Sequence, residues 1–242
     1  MTTPTEDPIV LVGAIERRVV PTEIDGQPAR IVTARRSYRG AVVDDVWDAL
    51  TNPDRLPRWF LPISGELVVG GRYQLEGNAG GEVRSCDPPR EFQVTWEAMG
   101  AVSWLTVELS EVADGTLLEL RHTQHSDHDF WRQYGPGATG VGWDLSLIGL
   151  GLHLAGTVQL DPAGFEAWSS SAAGKAFVTG SADGWTEADI AGGADPGAAR
   201  SAGRNTAAFY RGEPVEPSEP GESVESVESV EPGGSGEAGE SY

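Results

Sequence analysis

Residues 141–155 read VGWDLSLIGLGLHLA, a helix-length stretch with apolar side chains on nearly every side. Trp143, Leu147, Leu150 and Leu154 form one stripe, and Leu145, Ile148 and Leu152 form a second. A helix apolar all round has to be buried. This one is too short and too rich in glycine to span a bilayer core of roughly 30 Å. Its cover must therefore come from the protein itself, from a surface with an apolar face to spare.

The preceding residues supply that face. Glu91–Glu97 places Phe92, Val94 and Trp96 on one side, Val102–Ser110 places Ser103, Leu105, Val107 and Leu109, and Leu117–Gln124 places Leu118, Leu120 and His122. This alternation is the period of a half-buried strand. Asp114-Gly115 is a favoured hairpin pair, and Asp87-Pro88-Pro89 ends a further segment, Gly80–Cys86. Gly65–Glu76 alternates at Leu67, Val69, Tyr73 and Leu75, with Gly70-Gly71 expected as a bulge. Four or five short strands joined by turns make an antiparallel meander, and such a sheet has one face that needs cover. The predicted fold class is α+β, a curved antiparallel sheet wrapped around the long helix.

Upstream, Ile9–Val12 is expected as a short strand and Ala29–Tyr38 as a longer one. Val43, Val46, Trp47 and Leu50 share one helical face, with Asp44 and Asp45 in the first turn, where the helix dipole favours them. Pro53–Phe60 reads as a second short helix. Downstream, 165–177 and 186–210 hold Ala-rich helical stretches with Phe165, Trp168, Trp185, Phe209 and Tyr210 as anchors, expected to pack on the outside. The chain thus divides into an N-terminal extension (1–28), a core domain (29–157), a helical extension (158–211) and an acidic tail (212–242). Residues 211–242 hold nine Glu and one Arg. Such a composition buries too little apolar surface to offset the cost of ordering, so the tail is expected to be disordered.

Formal net charge is −20, and no cluster of Lys and Arg offers the counterion release on which nucleic-acid binding depends. Anionic membranes are disfavoured on the same ground. The single cysteine, Cys86, excludes an intramolecular disulfide and a thiolate metal site and fits a reducing cytoplasm. MTTPTEDPIVLVGAIERR lacks the basic start of a signal peptide.

Four segments occur in a particular order: DVWDALTNPDRLPRWF (45–60), GELVVGGRYQLE (65–76), GEVRSCDPPREFQVTW (81–96) and GPGATGVGWDLSLIGL (135–150). They resemble the heat-shock-protein-90-ATPase-activator homologue family, within the START-like helix-grip superfamily. The resemblance covers roughly residues 30–157, and the extension ending NTAAFYRG resembles one found on a bacterial subset. It implies a sheet gripping a C-terminal helix with a cavity between them. It does not imply one activity. Members include co-chaperones and binding proteins, so a chaperone is one expected partner and a small hydrophobic ligand or lipid another. The superfamily also includes cyclases, which leaves an enzymatic alternative.

The expected cavity candidates are Trp59, Tyr73, Trp96, Trp104, His122, Trp131, Tyr134 and Trp143. Trp96 and His122 stand out because each ends an apolar face. His122, His125 and His128 sit three residues apart, but helical stacking does not apply to a strand end and a loop, so no metal site is expected. Gly135–Gly140 matches G-x-G-x-x-G without the preceding parallel strand that dinucleotide binding needs. The glycines are expected to let the helix approach the sheet closely, and no cofactor is expected. For the enzymatic alternative, His122, Glu82, Glu97 and Asp144 are the acid–base candidates, with Glu on an outer sheet face and Asp144 as a helix cap as the plainer roles.

Overall fold

The computed structural model describes residues 7–156 and 167–215. The anchor Phe165 and the tail from residue 216 onward lie outside the described residues. Strands β1 (Glu16–Ile24), β2 (Gln27–Arg39), β3 (Ile63–Gly65), β4 (Arg72–Leu75), β5 (Gly80–Asp87), β6 (Glu91–Ala98), β7 (Ala101–Val112) and β8 (Gly115–His125) form one curved sheet. Every neighbouring pair is antiparallel, in the order β1-β2-β8-β7-β6-β5-β4-β3. The helices are α1 (Pro8–Gly13), α2 (Val43–Thr51), α3 (Asp129–Tyr134), α4 (Gly137–Leu154), α5 (Ala172–Ala191) and α6 (Pro196–Tyr210), with a 3-10 turn at Leu56–Arg58.

The sheet grips α4 as the apolar patterning requires. Even-numbered residues of β8 turn inward, so Thr116, Leu118, Leu120 and His122 are buried. Leu105, Val107 and Leu109 of β7 join them. Helix α4 lies across this face. Tyr38 of β2 donates its hydroxyl to the main-chain oxygen of Leu147 (3.0 Å), and Trp143 packs edge-on against Trp96 of β6 (4.9 Å between ring centres). The outer face is polar. Arg121 reaches Glu91, Glu108 and Glu119 across β6, β7 and β8, and Arg35 meets Glu119. Among the described residues no helix is long and apolar enough to cross a membrane.

The expected elements differ from the observed ones in several places, and the extension helices run over Ala172–Ala191 and Pro196–Tyr210 rather than 165–177 and 186–210. Ile9–Val12 is part of helix α1 rather than a strand, and the strand of this region is β1, which pairs with β2 along its whole length. Only Leu56–Arg58 of the second predicted helix is helical, as Pro57 permits. Residues 66–71 form a loop rather than a strand: Val68 and Val69 are exposed, and Gly70 turns with φ +83°. Helix α4 begins at Gly137, and the expected connection before it contains α3.

The G-x-G-x-x-G glycines serve a different contact from the expected one. Gly135 takes φ +59°, a turn suited to glycine. A Cβ on Gly137 would stand 2.9 Å from Thr206 of α6, and one on Gly140 would run into the Trp185 indole of α5. The glycines bring α4 close to the extension helices rather than to the sheet. Those helices form a second layer, capped by Ser171, which accepts from the Gly174 amide (3.2 Å), and by Asp195, which accepts from the Ala198 amide (2.8 Å). Trp185 and Phe177 are fully buried there.

Candidate functional site

Between α2, the 3-10 turn, the inner sheet face and α4 lies a cavity of about 360 Å³, at the lower end of the range typical of small-molecule sites. Its walls follow from the patterning. Trp47 and Leu50 come from the apolar stripe of α2, Phe92, Val94 and Trp96 from the inward face of β6, and Trp143 and Leu147 from α4. Trp59, Phe60 and Tyr73 complete an aromatic lining in which none of the described residues is charged. Leu67 from the 66–71 loop and Cys86 and Pro88 from the end of β5 also reach it.

The lining is held by hydrogen bonds. Trp59 donates its indole N–H to the Ala49 oxygen (2.9 Å), and Tyr73 donates its hydroxyl to the Thr95 oxygen (2.7 Å). Burial raises the Tyr73 pKa above its ordinary value, so its proton stays in place. Trp143 donates its indole N–H to Nδ1 of His122 (3.0 Å). Arg55 ties the gripping elements together. It bonds Nε2 of His153 on α4 (2.9 Å) and the carboxylates of Asp45 (2.7 Å) and Asp48 (2.9 Å) on α2. His153 is pushed below its ordinary pKa, chiefly by burial and then by the Arg55 charge.

Four of the eight expected cavity residues, Trp59, Tyr73, Trp96 and Trp143, are brought together in the lining. The other four are not among the lining residues. Trp104 pairs with Thr123 and lies against His125 (6.1 Å) on the opposite sheet face. The alternation that turns Ser103 and Leu105 inward turns Trp104 outward. Trp131 and Tyr134 sit on α3, where Tyr134 packs against Phe130 (5.0 Å) and Phe209 (5.6 Å). His122 stands behind Trp143. Sequence reasoning did not single out Trp47, Leu50 or Phe92 as lining, although the α2 stripe and the β6 alternation held the signal.

His122 is fully buried, and burial pushes its pKa down to about 4. An indole nitrogen only donates, so Nδ1 is bare and the neutral ring carries its hydrogen on Nε2. That nitrogen faces Ser103 Oγ at 2.7 Å, and Ser103 donates onward to the Trp96 main-chain oxygen (3.0 Å). A serine nucleophile needs a bare ring nitrogen to take its proton. Here the facing nitrogen already holds one, so the chain of bonds runs the wrong way to activate Ser103.

The other acid–base candidates lie apart from this group. Glu82 pairs with Arg84 (2.9 Å) and Glu97 with Arg72 (2.6 Å). Asp144 is fully buried but faces the extension. Its Oδ2 accepts from Arg17 of β1 (2.8 Å) and from Trp185 (3.1 Å) and Ser181 of α5, while Oδ1 has no partner among the described residues. Burial pushes the Asp144 pKa up to about 6, against the pull of Arg17. The three histidines of 122–128 diverge. His122 points inward, His125 lies beside Trp104, and His128 caps α3 by accepting from the Trp131 amide (3.1 Å). Among the described residues no three His, Cys, Asp or Glu gather as a metal site would require.

Residues 41–154 match the family model described as Activator of Hsp90 ATPase homolog 1-like protein. The crystal structure of CalU16 from Micromonospora echinospora is similar to the chain at 32% identity and a TM-score of 0.57, over 72% of this chain and 98% of CalU16. Its solution NMR structure gives 31% identity and a TM-score of 0.63, over 78% of this chain and 100% of CalU16. The crystal structure of MLL2253 from Mesorhizobium loti is similar at 22% identity, with a TM-score of 0.47 over 54% of this chain and 100% of that one. No curated protein matches the chain. The likeness to CalU16 spans more of the chain than residues 41–154 do.

Proposed function

This chain belongs to the family of Activator of Hsp90 ATPase homolog 1-like proteins, and from that premise we propose that it binds a small hydrophobic molecule or lipid in the hollow between sheet and helix. The observation that carries the reading is the cavity of about 360 Å³ walled by aromatic and aliphatic side chains. A core evolved only for stability closes such space, because unfilled volume costs contacts. Trp59, Tyr73, Trp96 and Trp143 are the proposed contact residues. His122 serves as the anchor that fixes the Trp143 ring rather than as a contact.

Two observations set binding ahead of catalysis. Among the described residues the lining holds no Asp, Glu, His, Lys or Arg, and in the Ser103–His122 pair the facing ring nitrogen carries the hydrogen, the wrong one for a base. A chaperone partner is supported by the family description alone.

Titration of the protein with apolar probes tests the proposal, with quenching of tryptophan emission as the readout. Saturable binding is expected, and Trp96→Ala should weaken it by about tenfold, the loss of one large aromatic contact. Absence of saturation with any apolar probe would sink the reading.

A further inference from the structure

The polar groups of the cavity wall define the charge of what it can hold. Three hydroxyls line the cavity, those of Thr51, Tyr73 and Ser146. Each has its hydrogen committed to a main-chain oxygen: Thr51 to Trp47 (2.8 Å), Tyr73 to Thr95 (2.7 Å) and Ser146 to Gly142 (2.8 Å). Two of the four lining indoles, Trp59 and Trp143, are committed in the same way, to Ala49 and to His122. What the hydroxyls offer an occupant is lone pairs. Among the described residues no Lys, Arg, His, Asp or Glu is in the lining.

Two nearby buried ionic groups are engaged elsewhere, and a third, Arg36 of β2, lies over the Tyr38 ring (5.4 Å) outside the lining, its buried Nη1 without a partner among the described residues. Asp144 is engaged by Arg17, Ser181 and Trp185 on the far side of α4. Arg55 is engaged by Asp45, Asp48 and His153. A carboxylate or phosphate entering the cavity would meet hydroxyl lone pairs, ring faces and the neutral indoles of Trp47 and Trp96, with no countercharge in the described lining, and an ammonium would meet no carboxylate there. A charge taken from water without a partner costs several kcal/mol or leaves only the neutral form bound.

Resting on the proposed function, we infer that the cavity selects for electrically neutral ligands and rejects carboxylates, phosphates and ammonium ions of the same shape. The selection applies to polar groups carried inside the hollow, and there it favours hydroxyls, amides and carbonyls over ions. An uncharged hydroxyl can donate to a waiting lone pair on Thr51, Tyr73 or Ser146. A neutral carbonyl loses far less hydration than an oxyanion on entering.

Three probes that share one ring system separate the outcomes: 1-pyrenemethanol, 1-pyrenecarboxylate and 1-pyrenemethylammonium. Each is titrated into the full chain at about pH 7.5, with energy transfer from tryptophan to pyrene as the readout, and the carboxylate probe is repeated at lower pH. The alcohol should bind at least about tenfold more tightly than either ion. Affinity for the carboxylate should rise as its own proton is taken up, while that of the alcohol stays level. If either ion binds as tightly as the alcohol, the selectivity is overturned and the binding function stands. If none of the three saturates, the binding function itself is overturned and the selectivity with it.

Discussion

His122 and Asp144 are both fully buried, and their burial acts on stability with opposite signs. The folded-state pKa of His122 is depressed from the ordinary 6.5 to about 4. Its contribution is fully present above the unfolded value and is lost as pH falls from there toward the folded one. The folded-state pKa of Asp144 is raised from 3.8 to about 6. The fold therefore takes up that proton before the unfolded chain does, and stability is gained as pH falls through the folded value toward the unfolded one. The empty Oδ1 can hold the proton while Oδ2 keeps Arg17, Ser181 and Trp185. Between about pH 7 and about pH 4.5 each term is worth about 2 kcal/mol, and they nearly cancel. Asp144→Asn should unmask the histidine, so that urea-unfolding stability falls by about 2 kcal/mol more than in the wild type across that window. A pH profile parallel to the wild type would contradict this account. Trp143→Phe removes the donor to Nδ1 at a buried ring, and the unpaired nitrogen should cost about 1–3 kcal/mol in the same measurement at neutral pH.

The elements show what periodicity could and could not reveal. Strands β6, β7 and β8 and the inward set Phe92, Val94, Leu105, Val107, Leu118 and Leu120 are legible because alternation fixes one face of each strand. The same rule, applied to Trp104, turns it outward. Residues 66–71 misled because Leu67 and Val69 alternate as a strand would, yet the loop is fixed by backbone bonds from Gly70 to Val83 and from Val83 to Gly71. Val68→Ser, at an exposed loop position, should therefore change thermal stability by less than about 0.5 kcal/mol. Strand β1 was hidden because ERRVVPTEI mixes charged residues with a proline, as suits the edge of a sheet. Gly140 is the contrasting case, since a methyl group there meets the buried Trp185 ring. Gly140→Ala should lower stability by about 1–3 kcal/mol, measured by urea unfolding, and no loss would mean that α4 and α5 can part without cost.

At the scale of the molecule, the grip and the presence of extra helices were legible, and the way those helices meet α4 was not. A helix apolar all round announces that it is covered on two sides, but one sheet covers only one. Trp185, Phe177 and Ser181 close the other side of α4. Periodicity within a segment carries no information on which distant segment meets it, so the partner of Asp144 lay out of reach of the sequence. The family match ends at residue 154, and that boundary suggests a self-sufficient fold. The packing argues otherwise. A chain ending at residue 156 would leave the Asp144 carboxylate beside Arg17 without Ser181 or Trp185 and would expose the outer side of α4. It should lose cooperative unfolding, seen as the absence of a sigmoidal urea transition. A truncated chain that melts sharply would show the extension to be dispensable.

Trp143 and Asp144 are consecutive residues on α4, yet one forms a wall of the hollow and the other the socket of the extension. A guest leaning on the indole and a helix seated on the carboxylate thus share a single peptide unit. Amide exchange around Ala182–Trp185 should therefore slow when an apolar probe saturates the hollow, and unchanged exchange would show the two sides of α4 to be independent.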